Sequence, residues 1–187
     1  MQTQPTLSST AQVLHNLGLA AGFGGQLYGQ LALHPAIKEV SSEAERGKVL
    51  NAAWYNYRPV NLATLGVTAL TWVAGRSMLS GREVSKETRK LTVAKDVLMG
   101  ITVASSIFNS IAGGILARQR ENGAVPVYSG NEPSASTPEK AAKLQKALGI
   151  VGAIGTLSCA GVIGLTSWLN MQAAHSTRWS AISRFLP

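Results

Sequence analysis

Charge is scarce in this chain, and acidic charge is scarcest. Lys, Arg, Asp and Glu together make up only 14% of the 187 residues. They gather outside four blocks, residues 11–34, 59–76, 97–117 and 147–170, with Arg76 closing the second. The nine acidic residues all lie between or beside these blocks. No carboxylate therefore stands at depth to exchange protons for a cargo, to act as an acid–base pair or to hold a di-iron centre. The single cysteine, Cys159, excludes an intrachain disulfide and reads as a small packing residue. The opening MQTQPTLSSTAQ has no Lys or Arg, so neither a cleaved signal peptide nor a mitochondrial presequence is expected, and the first block stays in place. The chain shows no Ser-His-Asp order, no metal-ligand spacing, no glycine loop after a strand and no internal repeat, so no catalytic residue and no metal site are expected.

What is present is apolar. The hydrophobic share is 45% and the mean hydropathy +0.12. Each uncharged block is about the ~20 residues that a helix needs to cross a bilayer's hydrocarbon. A water-soluble bundle would show charge on an outer face at every turn, and the third and fourth blocks show none. The net charge of +8 and the pI near 10 come from Lys and Arg flanking the blocks. Lipid headgroup phosphates are the expected partners there, and no nucleic acid. The basic residues divide almost evenly between the two sides of a four-span topology. The six from Arg76 to Lys95 sit in a short connection, which places both termini in the cytoplasm of a bacterial inner membrane.

The first block, LHNLGLAAGFGGQLYGQLAL, organises the rest. Gly18, Gly22, Gly25 and Gly29 fall in one narrow helical stripe, where a neighbouring helix is expected to come close. Gln26 and Gln30 lie one turn apart beside it, with His15 on nearly the same face. His34 and Pro35 are expected to close this helix. Ser42 and Glu45 have capping-box spacing and open an interfacial helix to Tyr57, after which Pro59 kinks the chain or restarts it as the second span. Asn61, Thr64, Thr68 and Thr71 form a polar stripe on that span. Thr102, Ser105 and Asn109 repeat it on the third, whose remaining surface carries Ile101, Ile107, Phe108, Ile111 and Ile115. Residues 118–143, with Pro126, Pro133 and Pro138, read as a polar loop of little regular structure. After a glycine-rich fourth span, HSTRWSAISRFLP reads as a short amphipathic helix at the membrane surface.

The polar side chains Gln26, Gln30, Asn61, Thr68 and Asn109 are the ligand or seam candidates. Interhelical hydrogen bonding explains them most simply, and a pocket or path for a small polar or amphipathic ligand explains them equally in kind. The two differ in whether a cavity lies between the stripes. The histidines His15, His34 and His175 sit near helix ends, and only His15 offers itself to a haem.

A glycine-rich first span, the aromatic lead GKVLNAAWYNYRPVN, a third span with Asn109 near its end and a polar loop before a Gly/Ala-rich fourth span resemble the transmembrane-protein-205-like group of small four-span proteins. The resemblance implies an integral membrane four-helix bundle. The group's eukaryotic members are associated with platinum-drug resistance, and no catalytic residue comes with it. The two glutamines and the His-Pro end of the first span depart from the group.

The fold expected is thus all-α, an integral membrane four-helix bundle with an interfacial helix before the second span and a short amphipathic C-terminal helix. The expected function is a non-enzymatic structural or accessory component that packs with itself or a larger membrane complex, without a cofactor. The alternatives are a small transporter or channel-like protein using the polar seam, and a membrane oxidoreductase or haem protein.

Overall fold

The computed structural model describes residues 6–79 and 86–182, with side chains over 10–76 and 86–172. Four long helices account for most of these residues, and the described residues contain no strand. Helix α1 runs over Thr6–Tyr28 and does not stop at the His-Pro pair. A π-turn at Gly29–Leu33, a further helical turn at His34–Ala36 and a 3-10 turn at Ile37–Glu39 carry it on until Val40 turns extended. The reason is local: proline at 35 lacks an N–H and crowds the preceding turn, and the widened turn just before it absorbs that mismatch.

Helix α2 spans Glu43–Leu79 as one 37-residue helix. Ser42 accepts the Glu45 N–H at its hydroxyl, and Glu43 and Glu45 place negative charge in the first turn, which favours a start here. Pro59 sits inside this helix. The expected interfacial helix and second span are therefore one continuous rod of about 55 Å. Helix α3 covers Lys86–Ala117, and helix α4 Glu139–Ile182. The separate C-terminal surface helix is likewise replaced by an unbroken α4, and the side chains of its expected amphipathic face, from Arg178 onward, lie outside the described residues. Arg82 and Glu83 of the central connection do too.

The helices pair as two hairpins. In the first, the glycine stripe of α1 lies against α2. A Cβ at Gly18 would stand 2.5 Å from Thr68 Oγ1 and 3.1 Å from the Thr64 carbonyl oxygen. Gly25 and Gly29 face the rings of Tyr57 and Trp54. In the second, Gly155 and Gly161 of α4 approach Ser105 and Leu98 of α3. The hairpins meet where α1 touches α4, around a small core of Leu19, Met99, Cys159 and Val162, against which Phe23, Trp72 and Leu98 pack. Among the described residues, the hydrogen bond and the ion pair between α2 and α3 both lie at one end. There Asp96 accepts the Trp72 indole N–H at 2.9 Å and pairs with Arg76 at 3.0 Å.

Polarity runs inside out. His15, Thr68, Thr102, Ser105, Ser106, Thr156, Ser158 and Thr166 are buried, whereas Leu31, Leu70 and Leu157 are 70–74% exposed. Ile101, Ile107, Phe108, Ile111 and Ile115 are exposed as well. Among the described residues two stretches are long and apolar enough to cross a membrane: α3, with a mean hydropathy of 1.5 over its most apolar window, and Glu139–Gln172 of α4, at 2.0. Only 22% and 28% of those windows are buried. The core helix of a water-soluble protein would hide such a surface.

The connection 118–138 has little regular structure, yet it is packed. Asn122 (φ 52°) and Gly123 (φ 69°) turn it back, so that Gly123 lies on Asn51 and the carbonyl of Val125 on Gly47. Val127 donates its N–H to the Glu43 carbonyl at 3.2 Å, and Thr137 bonds the Pro126 carbonyl at 2.6 Å. Val125 and Val127 are buried. The loop is a cap on the end of the molecule where α1 finishes and α2 begins.

Candidate functional site

Away from the Asp96 end, α2 and α3 leave space between them towards the capped end. That space is a cavity of about 190 Å³, more than the roughly 150 Å³ void that can hold a benzene molecule in an apolar core. Helix periodicity sets its walls. Gln26, Gln30 and His34 recur at four-residue spacing on α1; Asn51, Trp54, Arg58 and Asn61 recur on one face of α2. Ser106, Asn109, Ser110 and Gly113 come from α3, and Gln145, Leu148, Gly149 and Gly152 from α4. Val125, Val127 and Gly130 of the loop close the end.

The polar atoms on this wall are unequally matched. Gln30 Nε2 donates to Thr156 Oγ1 at 2.7 Å, and the Thr156 hydroxyl faces Gln26 Oε1 at 3.0 Å and the Gly152 carbonyl at 2.9 Å. Gln145 Nε2 donates to the carbonyls of Ser129 at 3.0 Å and Gly130 at 3.5 Å, which fixes its amide and leaves Oε1 facing away from both. Gln145 Oε1, Asn109 Oδ1 and His34 Nδ1 are buried without a partner, and all three residues line the cavity. A buried polar atom left unsatisfied costs about 1–3 kcal/mol. Three around one void form a consistent demand for an occupant that can hydrogen-bond. The aromatic wall is rigid: His34 meets the Trp54 ring edge-on at 5.8 Å, Trp54 meets Tyr57 at 6.0 Å, and the Tyr57 hydroxyl donates to the Ala21 carbonyl at 3.0 Å. Arg58 is the one Lys, Arg, Asp or Glu among the lining residues.

Of the residues singled out in the sequence, Gln26, Gln30, Asn61 and Asn109 meet at this cavity. Thr68 does not; it is buried against Gly18, nearer the opposite end of the molecule. Gly18, Gly22, Gly25 and Gly29 are turned to α2 and do not line the cavity. His15 lies away from it too. Its Nδ1 is 3.0 Å from Thr71 Oγ1, a hydroxyl that also reaches the Val67 and Thr68 carbonyls at 2.6 and 3.1 Å, and its buried Nε2 has no partner. His15 and His34 stand about 28 Å apart along α1 and cannot serve one haem iron between them; the side chain of His175 lies outside the described residues. Among the described residues no three His, Cys, Asp or Glu side chains gather as a metal site would need.

Sequence reasoning missed His34, Trp54, Arg58, Gln145 and the loop valines as wall residues. Gln145 carried a signal, as an uncharged polar residue four positions before Gly149 on the face that leads to Gly152. Val125 and Val127 carried another, as alternating valines in an otherwise polar loop. In comparisons with known proteins, no family model matches the chain, and neither a curated protein nor a solved structure does.

Proposed function

We propose that this chain is a four-span integral membrane protein of the four-helix-bundle type, and that it binds a small amphipathic molecule in the capped cavity. The observation that carries the reading is the set of three unpartnered buried atoms, Asn109 Oδ1, Gln145 Oε1 and His34 Nδ1, around a void between apolar helices. Two of them are acceptors, so the occupant should offer hydrogen-bond donors on one side and hydrocarbon on the other. The inside-out polarity supports lipid around all four helices, and the glycine stripe supports close packing of the first two. Fully buried Met99 and Val162 plug the bundle below the cavity, which favours a one-sided binding site over an open channel. The start of α1, the end of α2, the start of α3 and the end of α4 share one end; the proposal puts that end towards the cytoplasm of a bacterial inner membrane and the cap outside. The likeness to the transmembrane-protein-205-like group belongs to this proposal and supplies no ligand. The accessory-component reading is the outcome expected should the cavity hold only water.

The test is native mass spectrometry of the detergent-extracted protein with monooleoylglycerol, whose two hydroxyls are donors on an acyl chain. Saturable binding is expected for the wild type, lost in Ser110→Trp, which fills the cavity, and kept in Leu157→Trp on the outer surface. Equal binding by wild type and Ser110→Trp would remove the cavity from the account.

A further inference from the structure

We infer that the molecule carries a second, adjoining site for the phosphate of an anionic phospholipid, whose acyl chain descends between α2 and α3. The inference rests on the reading of the chain as membrane-embedded with a lipid-accessible cavity, and it names the class of ligand that reaches it. Beside the capped cavity runs a groove of about 550 Å³ whose basic side chains are Lys48, Arg58, Arg118 and Arg120, with no Asp or Glu lining it. The groove and the cavity share Asn51, Arg58, Ala117 and Gly123, so the two adjoin. None of the four cations takes part in an ion pair among the described residues. Glu121, the nearest acidic neighbour in sequence, does not line the groove. Arg58 lies over the exposed Tyr55 ring at 5.7 Å, in the manner of an interfacial belt.

The four cations converge for reasons in the chain. Lys48 and Arg58 stand on the N-terminal half of α2, Arg118 directly follows the end of α3, and the left-handed turn at Asn122 and Gly123 seats the chain after Arg120 on Asn51. Convergence of uncompensated positive charge favours a doubly or singly charged oxyanion, and guanidinium forks match phosphate oxygens.

The surface below the cations supplies the other half of a lipid. On α3, Ile107, Ile111 and Gly114 recur at spacings of four and three and form one stripe, with Ile107 and Ile111 exposed and Arg118 just past the end of the helix. On α2, Arg58, Leu62 and Gly66 do the same, with Leu62 exposed and nothing within 4 Å of a Cβ at Gly66. An Arg58 guanidinium nitrogen lies 4.0 Å from the Cβ position of Gly114, which brings the two stripes to the same mouth. From Arg118 to Ile107 is about 16 Å of helix, close to half of a ~30 Å hydrocarbon core. A phosphate held at the cations therefore leaves one acyl chain the depth of one leaflet along this seam.

The experiment compares phosphatidylglycerol with phosphatidylcholine of identical acyl chains, by native mass spectrometry of the full chain, with monooleoylglycerol as the cavity probe. The wild type should prefer phosphatidylglycerol by at least about tenfold, given that each basic residue near a lipid surface contributes about 1 kcal/mol. The variant K48Q/R118Q/R120Q, which leaves the shared Arg58 in place, should lose most of that preference yet bind monooleoylglycerol as before, which also shows that it folds. R58K/R118K/R120K should keep part of the preference, and K140Q/K143Q/K146Q should keep all of it. No preference in the wild type while monooleoylglycerol still binds overturns this inference and spares the cavity reading. Failure of both lipids to bind overturns both. Equal loss in the two neutralised variants reduces the effect to net charge, and displacement of the lipid by excess inorganic phosphate assigns the groove to a soluble anion; either result overturns the inference.

Discussion

Gly47→Ala is expected to lift the cap from the cavity. A Cβ at this position would overlap the Val125 carbonyl oxygen and come within 2.9 Å of its carbon and 3.2 Å of its nitrogen. All three are backbone atoms, so no side-chain rotation relieves the contact. Forcing an extra methyl into a packed site costs about 1–3 kcal/mol. The alternative is for the loop to withdraw, which re-exposes Val125 and Val127 at about 1.5–3 kcal/mol each and gives up the bond from Val127 N–H to the Glu43 carbonyl. Alanine recovers about 1 kcal/mol of helix propensity. Helix α2 is present with the cap closed or open, so that gain cancels, and the penalty of about 1–3 kcal/mol on the closed cap corresponds to a roughly 5- to 150-fold rise in its open fraction. Hydrogen–deuterium exchange read by mass spectrometry should show residues 123–133 exchanging faster by that factor, with the α3–α4 contact around Met99 and Val162 unchanged. Wild-type exchange across the cap in Gly47→Ala would refute the packing described for it. A uniform acceleration through every helix would show that the cap is part of one cooperative unit.

Other consequences can be checked alongside. Gly29→Ala drives a methyl into the Trp54 ring and should lower thermal stability in detergent by up to about 2 kcal/mol net, whereas Gly24→Ala, with nothing within 4 Å, should raise it by up to about 1 kcal/mol; equal melting of the two would separate the stripe from α2. Asp96→Leu removes the acceptor of the Trp72 indole and the partner of Arg76, and should destabilise by about 1–3 kcal/mol, seen as a lower melting temperature and a shifted emission of Trp72; an unchanged melt would show that α2 and α3 are held elsewhere. Hydrogen bonds from Ser136 and Ser134 hold the Glu43 carboxyl below its ordinary value of 4.5. Their contribution is present above that value and is lost as the pH falls through the lowered one, so cap exchange should quicken as the pH is taken below 4.5 in the wild type and show no such step in Glu43→Gln.

Several features were legible because they depend on period alone. The stripe of Gly18, Gly25 and Gly29 could be read from spacing, as could the outward Ile107, Ile111 and Ile115, since a helix fixes which residues share a face. The meeting of Gln26 and Gln30 with Asn109 was legible as a class of contact without a partner for each atom. What was illegible depends on competition between local and tertiary terms. Pro35 and Pro59 each disfavour a helix by about 3 kcal/mol, and spacing alone does not show that a π-turn absorbs the first or that α2 runs on through the second. The loop from Arg118 to Pro138 has the composition of a loose connection, and its order comes from two valines, Gly47 and the Glu43 carbonyl, which lie about 80 residues away in the chain. Nothing in its spacing marks Arg58 as a groove residue; its place there follows from the turn at Asn122 and Gly123.

The account depends most directly on lipid surrounding all four helices. On a Cys159→Ala background, a nitroxide placed in turn at Leu14, Leu70, Ile111 and Leu157 samples one exposed position on each helix. In proteoliposomes, power-saturation spectroscopy should find each label accessible to oxygen and shielded from a water-soluble nickel chelate. A label on α1 or α2 relaxed by the nickel chelate as strongly as a free nitroxide in buffer would contradict the four-span arrangement, and with it the assignment of the cavity to lipid-borne ligands.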